Sequence, residues 1–328
     1  MSKFVADLLS SPNAFIGDPE VLDARLKRSG MTHTKCIAIT MGDPRGIGPE
    51  VITKALQQRN ILSLGKFVVI GSRKLLRNIK AAVIDISYRT PGEGSLKFLD
   101  KGIQLIKEKI ADALVTAPLS KETVSGYHKN FLGHTEYLAN SFYVKRFAMM
   151  FVSPQVRLLL VTRHVALNKV SKLITKGAVF SSIGLMQETL QQRFGLSRPR
   201  IAVLGLNPHA GEKGLLGTEE IKYIIPAIHQ AKRQGIKVEG PFPADTFFIQ
   251  WGQLHNCPPL FDGIVAMYHD QGLAPMKGMY FKELVNFTAG LPFVRTSPVH
   301  GTAFDIAGRG LADPSSMIAA IKLAFELA

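Results

Sequence analysis

Residues 36–50 read CIAITMGDPRGIGPE, a short apolar run from Cys36 to Thr40 that breaks at once into a Gly- and Pro-rich exit. Such a run is a strand apolar on both faces, and Pro49 suits the first turn of a helix over Glu50 to Gln58. Strand, exit and helix open an α/β unit. The pattern recurs along the chain. Phe67 to Ile70, Ala113 to Thr116, Val156 to Thr162, Ile201 to Leu206 and Gly263 to Met267 are predicted strands. Gly94 to Ile110, Lys172 to Phe194 and Thr218 to Gln234 are predicted helices between them. This alternation predicts an α/β protein with a mostly parallel sheet covered by helices, and the length of 328 residues favours two lobes.

The strand exits carry the chemistry. Ala113 to Thr116 runs into Ala117-Pro118-Leu119-Ser120-Lys121, and Val156 to Thr162 into Arg163-His164. Ile201 to Leu206 meets Asn207-Pro208-His209-Ala210-Gly211-Glu212, and Gly263 to Met267 meets Tyr268-His269-Asp270-Gln271-Gly272. Ligands of open α/β sheets bind outside the carboxyl ends of strands, so these exits can converge on one crevice. His164, His209 and His269 there suit a divalent transition metal, with Glu212 and Asp270 near enough in sequence to orient them. Their separations match no short metal motif, and each taken singly reads as a hydrogen-bonded structural histidine.

Bulk properties narrow the classes. A formal net charge of +15 invites phosphate binding, yet Lys27-Arg28, Arg73 to Arg77 and Lys145-Arg146 are scattered and lack interleaved aromatics. The charge reads as a basic surface or as a field for small anions rather than a nucleic-acid site. No apolar run is long enough to span a bilayer, and Asp7, Asp18, Glu20 and Asp23 interrupt any signal-peptide core. Cys36 and Cys257 read as buried or incidental thiols rather than a disulfide framework, and the setting expected is the cytoplasm.

Further candidates are weaker alone. Gly133-His134-Thr135-Glu136 precedes an amphipathic stretch, where Thr135 is a candidate helix cap beside amides that attract phosphate or carboxylate. Lys277, Asn286 and Arg295 lie in a Gly- and Pro-punctuated tract of loops and short strands, and each singly reads as a surface residue. Gly42 to Gly48 has the form G-x-x-x-G-x-G, neither a P-loop nor the dinucleotide fingerprint. The stretch from His300 to Gly310, with Gly301, Thr302 and Asp305, would let backbone approach a flat or phosphorylated ligand.

At these motifs the sequence resembles the 4-hydroxythreonine-4-phosphate dehydrogenase family of pyridoxal phosphate synthesis, from about Ile37 to Leu323. The resemblance rests on Ile39 to Pro44 with Gly46 to Glu50, Gly133 to Glu136, Leu206 to Glu212, Pro243 to Thr246, Ala266 to Gly272 and Gly290 to Ser297. The tract Pro298 to Ala303 with Asp305 to Gly308 is similar to the adenosine-side loop of isopropylmalate dehydrogenases. The family likeness implies a two-domain α/β/α architecture of isocitrate/isopropylmalate dehydrogenase type, with the active site in the interdomain cleft. The domains expected are 36–132 plus 290–328 and 133–289, the second holding the metal and the dimer interface, with 1–35 as an extension.

By the same resemblance, His164, His209 and His269 bind one divalent metal (Zn, Mg, Mn or Co), His269 reaching across a homodimer with a shared active site. His134, Thr135, Lys277, Asn286 and Arg295 hold the phosphorylated substrate. His300, Gly301, Thr302 and Asp305 meet NAD or NADP. Asp245 lies near the metal and the substrate's amino group, and Lys277 is the candidate proton donor. The reaction implied is oxidation of 4-phosphooxy-L-threonine to the 3-oxo acid, followed by decarboxylation. A phosphothreonate or phosphoerythronate remains an alternative substrate, and a non-catalytic anion- or nucleic-acid-binding protein a remote one. The segment before Cys36 has no counterpart in the family, the segment from Gly71 to Ala111 is shorter, and Val299 replaces an acidic residue.

Overall fold

The computed structural model describes residues 34–252 and 260–328; most of the N-terminal extension, and Cys257, lie outside them. Eleven strands occur among the described residues: β1 (Cys36–Thr40), β2 (Lys66–Gly71), β3 (Ala82–Asp85), β4 (Ala113–Thr116), β5 (Ala148–Val152), β6 (Arg157–Leu160), β7 (Arg200–Leu204), β8 (Lys237–Phe242), β9 (Gly263–Ala266), β10 (Val285–Ala289) and β11 (Val294–Pro298). The chain divides into two compact units, one running to Tyr143 and resuming over Leu291–Ala328, the other Val144–Gly290.

In the first unit the strands run β3-β2-β1-β4-β11, every pairing parallel. Ile37 pairs with Phe67 on one side and Ala113 on the other, and Val294 also pairs with Ala113. β1, β4 and β11 are buried along their whole length, as expected of strands covered on both faces. Helices Gly48–Leu56, Pro91–Lys107 and Ser315–Leu327 supply the cover. Helix Pro91–Lys107 starts on a capping box: Thr90 accepts from the Glu93 amide at 3.3 Å, and the Glu93 carboxylate accepts from the Arg89 amide at 2.8 Å. Its Phe98 is fully buried, a burial that contributes about 2 kcal/mol.

The second unit orders its strands β10-β5-β6-β9-β7-β8. β6, β9, β7 and β8 are mutually parallel, while β5 is antiparallel to both β6 and β10. The long helix expected over Lys172 to Phe194 is two, Leu167–Leu173 and Lys176–Phe194. Thr175 divides them, because its side chain accepts from the Ala178 amide at 3.1 Å and starts a new helix. The helix expected over Thr218 to Gln234 opens with a wide π turn, Glu220–Ile224, before Ile225–Arg233.

The expected division at residues 132 and 133 moves to 143 and 144. Helix His134–Ser141 goes with the first unit because Tyr137 Oη donates to Asp100 Oδ1 at 2.6 Å, and the Phe142 ring packs at a tilt against Phe293 with centroids 4.6 Å apart. Both contacts are long-range in sequence, which is why composition gave no sign of them. Cys36 is buried and free, and burial pushes its thiol up to about 12.

Candidate active site

In the second unit the topology brings the three histidine-bearing strand exits to one end of the sheet. His164 follows β6, His269 follows β9 and His209 follows β7, and these three strands are adjacent and parallel, so their exits share one end of the sheet. The rings of His164 and His269 of the same chain stand 5.6 Å apart, centroid to centroid. Two imidazoles on one ion, each about 2.0 Å from it, have centroids roughly 5 Å apart, so this pair fits a shared divalent metal. His269 begins helix His269–Tyr280, and its Nδ1 meets Asp270 Oδ1 at 2.7 Å. With the proton held on Nδ1 by the carboxylate, Nε2 is left as the donor atom toward a metal. Glu212, the other candidate orienting carboxylate, is exposed on the turn that carries His209.

That turn is unusual. From His209 to Lys213 every residue has positive φ, between 41° and 79°, so the backbone winds left-handed for a full turn. His209, Ala210, Glu212 and Lys213 carry a Cβ, and each costs on the order of 1 kcal/mol there. Strain of this kind persists only where the surroundings impose it. His209 itself is exposed, and among the described residues no three His, Cys, Asp or Glu side chains form a closed metal cluster.

The remaining second-unit candidates are spread out. Lys277 is exposed in the last turn of helix His269–Tyr280, not in a loop. Leu273, Met276 and Tyr280 give that segment a buried stripe at helical spacing, which outweighs Gly272, Pro275 and Gly278. Asn286 stands on β10 opposite Phe151, and its Oδ1 is buried without a hydrogen-bond partner. Asp245 is exposed in the first turn of helix Ala244–Gly252.

In the first unit Arg295 departs most from expectation. It lies on β11 and is 1% exposed, so the surface reading is wrong. Its Nη2 and Nε donate to Thr116 Oγ1 on neighbouring β4, at 2.6 and 3.2 Å. Burial brings the guanidinium down to about 9, although the Glu136 carboxylate works the other way. His134 is held well below the usual imidazole range, first by burial and then by the positive charges of Arg295 and Lys121. Thr135 is buried but does not cap its helix; the cap position belongs to Gly133, at φ 141°. Arg295, His134, Thr116 and the opening amides of helix His134–Ser141 are the kinds of group that take a phosphate.

The glycine-rich segments of this unit are also tied together. Gly42 has φ 74°, and a Cβ there would fall 2.1 Å from Pro118 O, so the exit of β1 closes onto the exit of β4 only as glycine. The Ile47 amide donates to Thr302 O at 2.9 Å, and the Arg45 guanidinium lies 5.1 Å from the Phe304 ring centroid. His300 Nδ1 faces Gly301 O at 3.0 Å, while Gly301 and Asp305 are exposed. Glu50 accepts from the Ala312 amide at 2.8 Å and the Gly310 amide at 3.2 Å. Lys54 donates to the carbonyls of Gly310 at 2.8 Å and Ala312 at 2.7 Å, and to Glu50 at 2.9 Å. Burial alone would raise the Glu50 carboxyl, but the Lys54 and Ala312 hydrogen bonds prevail and hold it below the ordinary range. Sequence reading missed Thr116, Glu50 and Lys54; the strand-end position of Thr116 and the i,i+4 spacing of Glu50 and Lys54 were the available signals.

A family profile described as pyridoxal phosphate biosynthetic protein PdxA matches residues 11–324, so the expectation that the segment before Cys36 has no counterpart in the family is corrected from residue 11 onward. The chain is 40% identical over 324 residues to 4-hydroxythreonine-4-phosphate dehydrogenase of Desulforapulum autotrophicum, covering 88% of this chain and 94% of that one. It is 39% identical over 335 residues to D-threonate 4-phosphate dehydrogenase of Salmonella typhimurium, covering 90% and 100%. The crystal structure of 4-hydroxythreonine-4-phosphate dehydrogenase from Klebsiella pneumoniae superposes with a TM-score of 0.78 at 36% identity, over 90% of this chain and 98% of that one. With a profile match across nearly the whole chain, close relatives of full length and a shared fold, the chain belongs to the family of the pyridoxal phosphate biosynthetic protein PdxA.

Proposed function

We propose that the protein is a nicotinamide-dependent dehydrogenase that oxidises 4-hydroxy-L-threonine 4-phosphate to 2-amino-3-oxo-4-phosphooxybutanoate, which loses carbon dioxide to give 3-amino-2-oxopropyl phosphate. The buried Arg295 carries this reading. A fully buried guanidinium with donors on the Thr116 hydroxyl has the fork geometry that a phosphate dianion meets bidentately. His134, neutral and beside it, donates one N–H, and the amides of helix His134–Ser141 add more. Asn286, with its orphaned Oδ1, accepts from the substrate's hydroxyl or ammonium.

His164, His209 and His269 would hold a divalent metal, most readily zinc or cobalt for imidazole donors, with Asp270 fixing the His269 tautomer. Bound there, the metal supplies Lewis acidity to the alcohol oxygen. NAD or NADP, taken by His300, Gly301, Thr302 and Asp305 on the loop that Glu50 and Lys54 clamp, supplies the hydride acceptor. Asp245 pairs with the substrate's ammonium, and Lys277 returns a proton to the carbon left by decarboxylation. Leu167, Leu215 and Ile221 are exposed on the second unit, 73%, 83% and 48%, and support a homodimer. The setting is the cytoplasm.

A second substrate, D-threonate 4-phosphate, is favoured by the name of the Salmonella typhimurium relative. Absorbance of NADH, followed with each phosphorylated acid with and without chelator, separates the readings. Oxidation of the hydroxythreonine ester that stops on chelation is the expected result. Oxidation of only the threonate ester replaces the substrate, and turnover undiminished by chelation or by His209→Ala removes the metal.

A further inference from the structure

Glu220 is 2% exposed, yet its carboxylate is held by neutral N–H groups. Oε1 accepts from the Leu206 amide at 2.7 Å and the Asn207 amide at 2.8 Å, and Oε2 accepts from Asn207 Nδ2 at 2.9 Å. No Lys or Arg pairs with it among the described residues. Leu206 and Asn207 form the exit of β7, and His209 stands two residues further on. The carboxylate also abuts the left-handed turn directly, because a Cβ on Gly211 would fall 2.6 Å from Oε2. The π turn Glu220–Ile224 opens with this residue, and such turns redirect a side chain that a regular helix would aim elsewhere. Asn207 Nδ2 also donates to Glu219 Oε2 at 2.8 Å, while Glu219 Oε1 accepts from Ser171 at 2.6 Å, on the helix that follows His164.

We propose that Glu220 is a positioning residue for His209: its buried carboxylate anchors the β7 exit and braces the left-handed turn, setting the imidazole for metal. The proposal rests on His209 being a metal ligand, as argued under the proposed function. A carboxylate spent on backbone amides fixes the path of the chain, and here the chain it fixes is the one that carries the ligand.

The test is a double-mutant cycle read by cobalt binding to the intact protein, with titration calorimetry for affinity and visible absorbance for the ligand field. Glu220→Gln keeps the size but turns an NH2 toward Asn207, and is expected to weaken cobalt binding about tenfold. His209→Ala weakens it at least as much, and the double variant binds no more weakly than His209→Ala alone, because Glu220 acts through His209. Thermal melting of each variant runs in parallel. A lower melting temperature with wild-type cobalt affinity in Glu220→Gln, or losses that add in the double variant, overturns the proposal and leaves His209 as a ligand. Wild-type cobalt affinity in His209→Ala, or no cobalt binding by the wild type, overturns the ligand reading and the proposal with it. Should Glu220→Gln not fold, Asn207→Ala replaces it in the cycle with an expected loss of about threefold, and wild-type affinity there overturns the proposal.

Discussion

His134 is a base whose protonation the fold opposes, through burial and the charges of Arg295 and Lys121. The unfolded chain takes up its proton near pH 6.5 and the folded chain only well below that, so in between the unfolded state binds more protons. This contribution to stability is complete above pH 6.5 and is lost as pH falls toward the folded value. Urea denaturation of His134→Asn is expected to show a shallower decline between pH 7 and 5 than the wild type. Arg295, buried beside Thr116, is placed to meet an arriving anion. At substrate concentrations about a hundredfold above Kd the wild type should gain roughly 2.7 kcal/mol, seen as several degrees in Tm. Arg295→Met should show no such gain. Neither environment was legible in sequence. Val294-Arg295-Thr296-Ser297-Pro298 has the polarity of a loop, and only strand pairing to β4 buries it.

At the scale of elements, the strands read correctly were those with unbroken aliphatic runs, β1, β4 and β9 above all. β5, Ala148–Val152, and β10, Val285–Ala289, passed unread because methionine, phenylalanine, asparagine and alanine mix there, and the two strands pair with each other across a long stretch of sequence. The three histidine exits were legible because strand ends are legible. Their adjacency was not, since it depends on the order β6-β9-β7. The clamp of Glu50 and Lys54 on Gly310 and Ala312 joins helix Gly48–Leu56 to the glycine-rich loop. Glu50→Gln loses its charge toward Lys54 and should loosen that loop, raising KM for the dinucleotide about threefold to tenfold while kcat changes less than twofold. Steady-state kinetics at saturating phosphorylated substrate measures the split, and an unchanged KM removes the loop from the cofactor's side.

Taken whole, the molecule exposes more large apolar side chains on its second unit than scattered surface residues require, Leu167 and Leu215 foremost. Leu167→Arg combined with Leu215→Arg is expected to halve the mass seen by sedimentation velocity and to cut turnover at least tenfold, while Tm moves little. A variant that sediments as the wild type does would overturn the proposed homodimer through these side chains. The first unit has a different consequence, in the order of synthesis. β11 pairs with β4, yet the 144–290 stretch of the second unit must be made before β11 leaves the ribosome. At about 5–20 residues per second, the edge of β4 waits roughly ten seconds or longer for its partner. The contiguous second unit has all its own strands by then, so the newborn chain passes through a stage with one unit complete and the other open along a buried-type edge. Slow codons across 144–290 lengthen the time for which the β4 edge stands open.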